Sequence, residues 1–527
     1  MYTTQNSGVE GVAGSAAHSP KHNGLHGVQE TGATLEASTE AHPAGAFGDG
    51  VSSVEDGLSG AIQEMLDGFA SPEWKPHGYQ ERGIEWLTHK ISAALFLAPG
   101  MGKTSITLAA INVLRKEKLA KRVLILAPLT VCVTTWDSEP RKWKQFQGLK
   151  LGLAHGPDKK LVLNDEYYDI VIMNYDGLAW AAPMLAKGHT FDVLVCDELT
   201  KLKHSSSKRF KLIKPLLPSF KFKWGLTASP TANGLIDLFG QIFVLDCGSR
   251  LGRYITHFRA KYFHQEPWDQ YRWYITPEKA TDLTNHIADL AMYMDPKDYL
   301  ALPGLLDVVR PVKLKDMTQY KFLRDEYILK MQDTVITAVN AGVLTNKLRQ
   351  FTGGALYTEG TTWEEINSDK VDELVELAEE LNGEPLIVAY EFNHEAERLL
   401  KVFPTAKAIR GGMNTKDVQN IVAQWNAGSI PVLLIQPQAG AHGINLQGGG
   451  SAICWFSLTY NLESYMQLIA RIYRQGQKSI VRNYLLVAQG TVDEALVQVL
   501  SDKTATQDGV FRALKDYATR VKNNSAQ

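Results

Sequence analysis

The string APGMGKT, residues 98–104, stands between an apolar run, Ala93 to Leu97, and a helix-period segment, Ser105 to Leu114. A strand that ends in a glycine turn and opens a helix commits this region to an α/β arrangement, with backbone amides gathered at a helix N-terminus. In such a loop Gly100 and Gly102 turn the amides toward phosphate oxygens. Lys103 neutralises the outer phosphates, and Thr104 offers its hydroxyl to Mg²⁺. The full pattern wants glycine where this chain has Leu97. Taken alone, the string also fits a glycine turn that merely caps a helix.

At 527 residues the chain is too long for one ordinary core, and two globular domains plus extras are expected. Residues 1–70 hold nine acidic side chains against one lysine and few large apolar residues, so a disordered acidic tail is expected there. Its histidines (His18, His22, His26, His42) show no metal spacing, and a short amphipathic stretch, Ala61 to Phe69, suggests no function. Strand-length apolar runs then alternate with helical segments over 71–249 and again over 371–505. The interval 250–370 reads as a helical insertion, and 506–527 as a C-terminal helix and tail. Within the insertion the aromatic-rich stretch Trp268 to Tyr274 reads as a packing cluster, with base stacking as the alternative.

No apolar run is long enough to span a bilayer, which argues against a membrane partner. Four scattered cysteines (Cys132, Cys196, Cys247, Cys454) make no paired metal spacing, and the N-terminus lacks the regions of a secretory signal. A reducing, intracellular, cytoplasmic setting is expected.

In FDVLVCDELT, Phe191 to Thr200, an apolar strand ends in two adjacent carboxylates. Asp197 suits the Mg²⁺ that Thr104 also serves, and Glu198 suits the orientation and deprotonation of an attacking water. An acidic strand-end turn is the plainer alternative. YMQLIARIYRQGQ, Tyr465 to Gln477, places Arg471 and Arg474 three apart on a helix-period stretch. Arginines delivered from a second domain would meet phosphate charge only when a cleft closes, whereas a surface helix with salt-bridging arginines is the bland reading. Lys201 to Lys223 holds eight Lys/Arg and no acid, either a phosphate-facing surface or a solvated basic face.

Together, and in order, these strings resemble helicase superfamily two, and within it the Swi/Snf-type DNA-dependent ATPases, of which this would be a phage or bacterial member. HGYQERGIEWL (His77 to Leu87) is similar to the family's adenine-reading segment. LAPLTVCVTTWDSEPRKW (Leu126 to Trp143) is similar to its P…W-x-x-E-x-x-K-W stretch, and NYDGL (Asn174 to Leu178) follows. DELT stands in the place of DEAH, GLTASPTAN (Gly225 to Asn233) resembles motif III, and PLIVAYEFNHEAERL (Pro385 to Leu399) resembles motif IV. QAGAHGINL (Gln438 to Leu446), Q-x-x-x-R-x-x-R-x-G-Q (Gln467 to Gln477) and QGTVDE (Gln489 to Glu494) complete the series. Two departures stand out: Leu97 and Ala98 replace the family's Asp-Glu, and WFSLTYN (Trp455 to Asn461) lacks the aspartate common before W-N-P.

The resemblance implies two tandem RecA-like P-loop lobes that hydrolyse ATP with Mg²⁺ in the cleft between them. Gln80 would hydrogen-bond adenine and Gln467 would sense the γ-phosphate. The turns at Pro128 and Thr130, Asn174 and Tyr175, and Gly440 and His442 would touch a nucleic-acid backbone, extended by Lys203 and Lys208. Duplex DNA is the partner implied, with RNA ranked behind it. A DNA translocase is the first expectation, a strand-separating DNA or RNA helicase the second, and a non-catalytic nucleic-acid-binding scaffold the third.

Overall fold

The computed structural model describes residues 72–525, apart from 268, 333–337, 359–360 and 441–443. The Ala61 to Phe69 stretch, Trp268 and His442 lie outside the described residues.

In the first α/β region the largely apolar runs become β1 (Ser92–Leu97), β2 (Arg122–Ala127), β3 (Leu151–Leu153), β4 (Ile170–Asn174), β5 (Phe191–Asp197) and β6 (Phe222–Thr227). Continuous rather than alternating hydrophobicity suits a parallel sheet covered by helices on both faces.

The interval 250–370, expected to be a helical insertion, holds the helices Ile255–Tyr262, Pro277–Ile287, Met317–Gln332 and Ala338–Thr352, and the structure adds strands that were not expected. It contains an antiparallel pair, β7 (His264–Glu266) with β8 (Asp269–Tyr274), then β9 (Ala291–Met294), β10 (Leu305–Val312), and a second antiparallel pair, β11 (Ala355–Tyr357) with β12 (Trp363–Glu365). β9 pairs in parallel with β1 and completes the first sheet, whose order is β3-β4-β2-β5-β6-β1-β9. A run of four residues is too short to show a period in the sequence. β10 hides its nature differently: it carries Asp307, Arg310 and Pro311, tolerated because it is an edge strand whose Arg310 is held by Glu373 and Glu380.

The second sheet comprises β10, β13 (Leu386–Ala389), β14 (Lys407–Ile409), β15 (Val432–Ile435), β16 (Ala452–Trp455) and β17 (Val481–Ala488), in the order β10-β17-β16-β13-β15-β14. All its pairings are parallel. Each sheet separates two clusters of buried side chains, so each lobe has its own core. The final helix runs without a break from Val492 to Ser525, so residue 505 is no boundary in the backbone. Its Lys503 donates to Tyr460 O of the second lobe at 2.7 Å and to Asn233 Oδ1 of the first at 3.4 Å.

Parallel sheets present the carboxyl ends of their strands at one rim, the usual place for ligands. Leu97 and Asp197 end β1 and β5 at that rim of the first lobe.

Candidate active site

The loop after β1 turns through Gly100 (φ 85°) and Gly102 (φ 77°), left-handed values that L side chains adopt at a cost. Gly102 precedes the helix Lys103–Lys116, whose first amides therefore point into the cleft. Lys103 Nζ donates to Leu97 O at 2.8 Å and Ala98 O at 3.3 Å, so the ammonium is held over its own loop. A Cβ on Gly102 would lie 2.4 Å from Gln80 Nε2. Gly102→Ala is therefore expected to destabilise the fold by about 1–3 kcal/mol through combined backbone strain and side-chain clash. Thermal unfolding and nucleotide titration of the variant check this, and unchanged values of both would contradict it.

Asp197 is buried at the end of β5, with Oδ2 accepting from Trp136 Nε1 at 2.8 Å and Oδ1 from the Glu198 amide at 3.0 Å. Burial raises the Asp197 pKa, against the pull of Lys103 and both donors. Glu198 sits in the left-handed region (φ 54°, ψ 60°), a conformation that costs on the order of 1–3 kcal/mol and aims its carboxylate into the cleft rather than along the strand. Burial, then the neighbouring Glu463 and Asp197, push the Glu198 carboxyl up to about 8.

From the second lobe, Gln467 Nε2 donates to Glu198 Oε1 at 3.2 Å. The helix that carries it, Leu462–Ile469, ends before either arginine, so Arg471 and Arg474 occupy the turns beyond it rather than one helical face. Those turns are pinned: Leu446 N donates to Arg471 O, and Arg471 Nη1 donates to Ile444 O at 3.1 Å. Arg474 lies over the phosphate loop, its side chain 3.6–3.8 Å from where a Gly100 Cβ would be. The surface-helix alternative fails because both guanidinium groups face the cleft.

This cleft, about 460 Å³, is lined by Gly100, Gly102, Lys103 and Thr104, by Asp197 and Glu198, and by Gln467, Arg471 and Arg474. Burial lowers the pKa of Lys103 and Arg474, and with repulsion from Arg474 brings Arg471 down to about 10. Cations and carboxylates are thus both desolvated in one space, an arrangement suited to a polyanion with a divalent cation.

Other expected residues fall elsewhere. Gln80 is buried beneath the loop, its Nε2 on Met101 O at 3.4 Å and its Oε1 on His77 N at 2.9 Å. The geometry makes it a brace of the loop. Tyr175 is also buried, and its hydroxyl donates to Asp197 O at 2.8 Å, so it props the acidic turn instead of facing a nucleic acid. Lys203 is paired with buried Asp237 at 3.3 Å, which removes it from any free basic track. Pro128, Asn174 and Thr130 lie at the rim, half-buried or exposed, and Lys208 is exposed at the start of a short helix. Gly440 closes the short helix Pro437–Gly440. In the aromatic stretch Trp273 is half-buried under the Arg259 guanidinium, 5.1 Å from the ring centroid, which agrees with packing.

Sequence reasoning assigned no role to Trp136 or Glu139. Glu139 lines the cleft and accepts from Ser105 at 2.6 Å, Lys142 at 2.8 Å and Trp143 at 3.1 Å. Burial works against its ionisation but those donors prevail and hold its pKa below the ordinary carboxylate value. The W-x-x-E spacing was the signal that a closer reading of the string would have used.

Residues 79–266 match the family described as SNF2-related domain, and residues 369–476 match the family described as Helicase conserved C-terminal domain. The chain is 32% identical to "Putative protein p41" of Acyrthosiphon pisum secondary endosymbiont phage 1, over 84% of this chain and 98% of that protein. It is 25% identical to an uncharacterized ATP-dependent helicase of Mycoplasma pneumoniae (81% of this chain, 41% of that one). With the DNA repair and recombination protein RAD54B of Gallus gallus it shares 23% (83% and 54%). The chain thus spans nearly all of the phage relative and about half of the two cellular ones. A solved Sulfolobus solfataricus SWI2/SNF2 ATPase core in complex with dsDNA aligns with TM-score 0.42 at 21% identity, covering 84% of this chain and 94% of that one. The chain belongs to the SNF2-related family of helicase-type, nucleic-acid-dependent ATPases.

Proposed function

We propose that the protein is an ATP-driven motor that moves along duplex DNA, with hydrolysis in the cleft between its lobes. The observation that carries this reading is the convergence of Lys103, Asp197 and Glu198 from one lobe with Gln467, Arg471 and Arg474 from the other.

In this reading Lys103 and the loop amides seat the β- and γ-phosphates, and the two arginines stabilise charge as the γ-phosphoryl departs. Glu198 takes a proton from the attacking water, and its raised pKa makes it the stronger base. Asp197 and Thr104 suit Mg²⁺, which would neutralise phosphate charge. Each Asp197 oxygen already accepts one hydrogen bond and keeps a lone pair. No cluster of three metal-ligating side chains exists among the described residues, so Mg²⁺ would complete its shell with phosphate and water oxygens. Gln80, through its hold on Met101 O, braces the loop that seats the phosphates.

The rim turns at Pro128, Thr130, Asn174 and Gly440, with Lys208, form the proposed DNA path. Backbone contacts there would read no sequence, as movement along any DNA requires. Support for DNA comes from the name of the RAD54B relative, and the phage relative suits a bacterial or phage-infected cytoplasm. Closure on ATP and release after hydrolysis would alternate the grip of the lobes.

ATP turnover measured in parallel with duplex DNA, single-stranded DNA and RNA tests the reading. The greatest stimulation is expected from duplex DNA, and a preference for RNA would overturn it.

A further inference from the structure

We propose that Glu463 is a positioning residue of the hydrolytic site, a second-lobe carboxylate that fixes which end of the Gln467 amide faces the attacking water. The inference rests on the reading of the cleft as an ATPase site.

Glu463 lies in the first turn of the helix Leu462–Ile469, one turn ahead of Gln467 on the same face. It is almost fully buried, yet neither of the expected motifs uses it. Its Oε1 accepts from Thr200 Oγ1 of the first lobe at 3.2 Å and from Gln467 Nε2 at 3.3 Å. The same Gln467 nitrogen donates to Glu198 Oε1 at 3.2 Å. An ionised carboxylate, the form in which Glu198 can act as base, accepts only, so two such groups flanking one amide admit its nitrogen and exclude its oxygen.

The consequence is visible in what is left over. Gln467 Oε1 and Glu198 Oε2 are both buried without a hydrogen-bond partner. Buried acceptors are seldom left so, and at a functional site they mark where a donor belongs. A water carries two O–H bonds. It could donate one to Glu198 Oε2, the base, and the other to Gln467 Oε1, leaving a lone pair for phosphorus. Glu463 would thus set the amide so that the pair grips water rather than phosphate.

The test uses the full-length protein with duplex DNA, ATP and Mg²⁺, and measures kcat, KM for ATP and thermal unfolding. For Glu463→Gln, which can itself donate to Gln467 Oε1 and release the amide, kcat is expected to fall about tenfold with KM for ATP little changed. Glu463→Asp keeps an acceptor-only group ahead of Gln467 and is expected to recover part of the lost kcat. A purely structural role would lower thermal stability together with kcat and would not separate the two variants. An unchanged kcat in Glu463→Gln, or an equal loss in both variants, overturns the proposal. Should that variant not fold, Thr200→Val, which removes a donor to Glu463 Oε1, carries the test: reduced kcat with KM for ATP and thermal unfolding at wild-type values supports the proposal, and wild-type kcat, or a kcat loss that follows lost stability, overturns it. A wild-type protein without ATP turnover would instead defeat the reading of the cleft.

Discussion

Replacing Lys103 with alanine is expected to reduce DNA-stimulated ATP turnover by about 10²-fold or more, because a buried cation aimed at phosphate acts without the solvent reorganisation that water would need. The local chemistry supports a loss of function rather than of fold. Lys103 is desolvated, which lowers its pKa against the attraction of Glu198 and Asp197, and its hydrogen bonds go only to two carbonyls of its own loop. The measurement is steady-state turnover alongside thermal unfolding: near-wild-type melting with turnover removed is the expected pair. Turnover retained at the wild-type rate would show that the loop does not seat the reacting phosphates.

Arg474→Ala is expected to lower kcat by about 10³-fold while leaving ATP affinity within a few-fold of wild type, the signature of a group that acts on transition-state charge. Its place over Gly100 brings a second-lobe guanidinium against a first-lobe loop. Arg471 is a less clean target, because its Nη1 also holds Ile444 O and its carbonyl accepts from Leu446 N. Arg474→Lys keeps the charge but not the planar fork, and is expected to recover little of the lost rate. Wild-type kcat in Arg474→Ala, measured with saturating ATP and duplex DNA, would remove the second lobe from the chemistry.

Much of the fold was legible because a parallel sheet buries both faces. Runs such as Val432–Ile435 and Ala452–Trp455 are apolar throughout and bounded by turn residues, and each is a strand with those limits. The strands within 250–370 were not legible for the opposite reason, although the helices Met317–Gln332 and Ala338–Thr352 fall where helix was expected. β9 is only four residues long, and β10 interrupts its apolar pattern with charge and proline that an edge position tolerates.

Charged residues were harder to place than apolar ones. Lys203 looked like part of a basic track, yet its partner Asp237 lies 34 positions away in the chain and no local pattern announces the pair. Tyr175 was expected at a surface turn, and its hydroxyl instead supports the acidic strand end across 22 residues. Gln80 was matched to adenine, and the close approach of Gly102 shows how tightly it braces the loop.

From the sequence by itself came the phosphate loop, the acidic strand end, the paired arginines and the two α/β layouts, since each is written in neighbouring residues whose spacing has local physical meaning. Only the tertiary structure decided that Gln467 touches Glu198 across 269 positions, that Glu463 joins them, and that Arg474 covers Gly100. Contacts of that kind depend on how two separately folded sheets present their rims to each other. That arrangement is set by packing across the interface, and no short-range pattern in a chain encodes it.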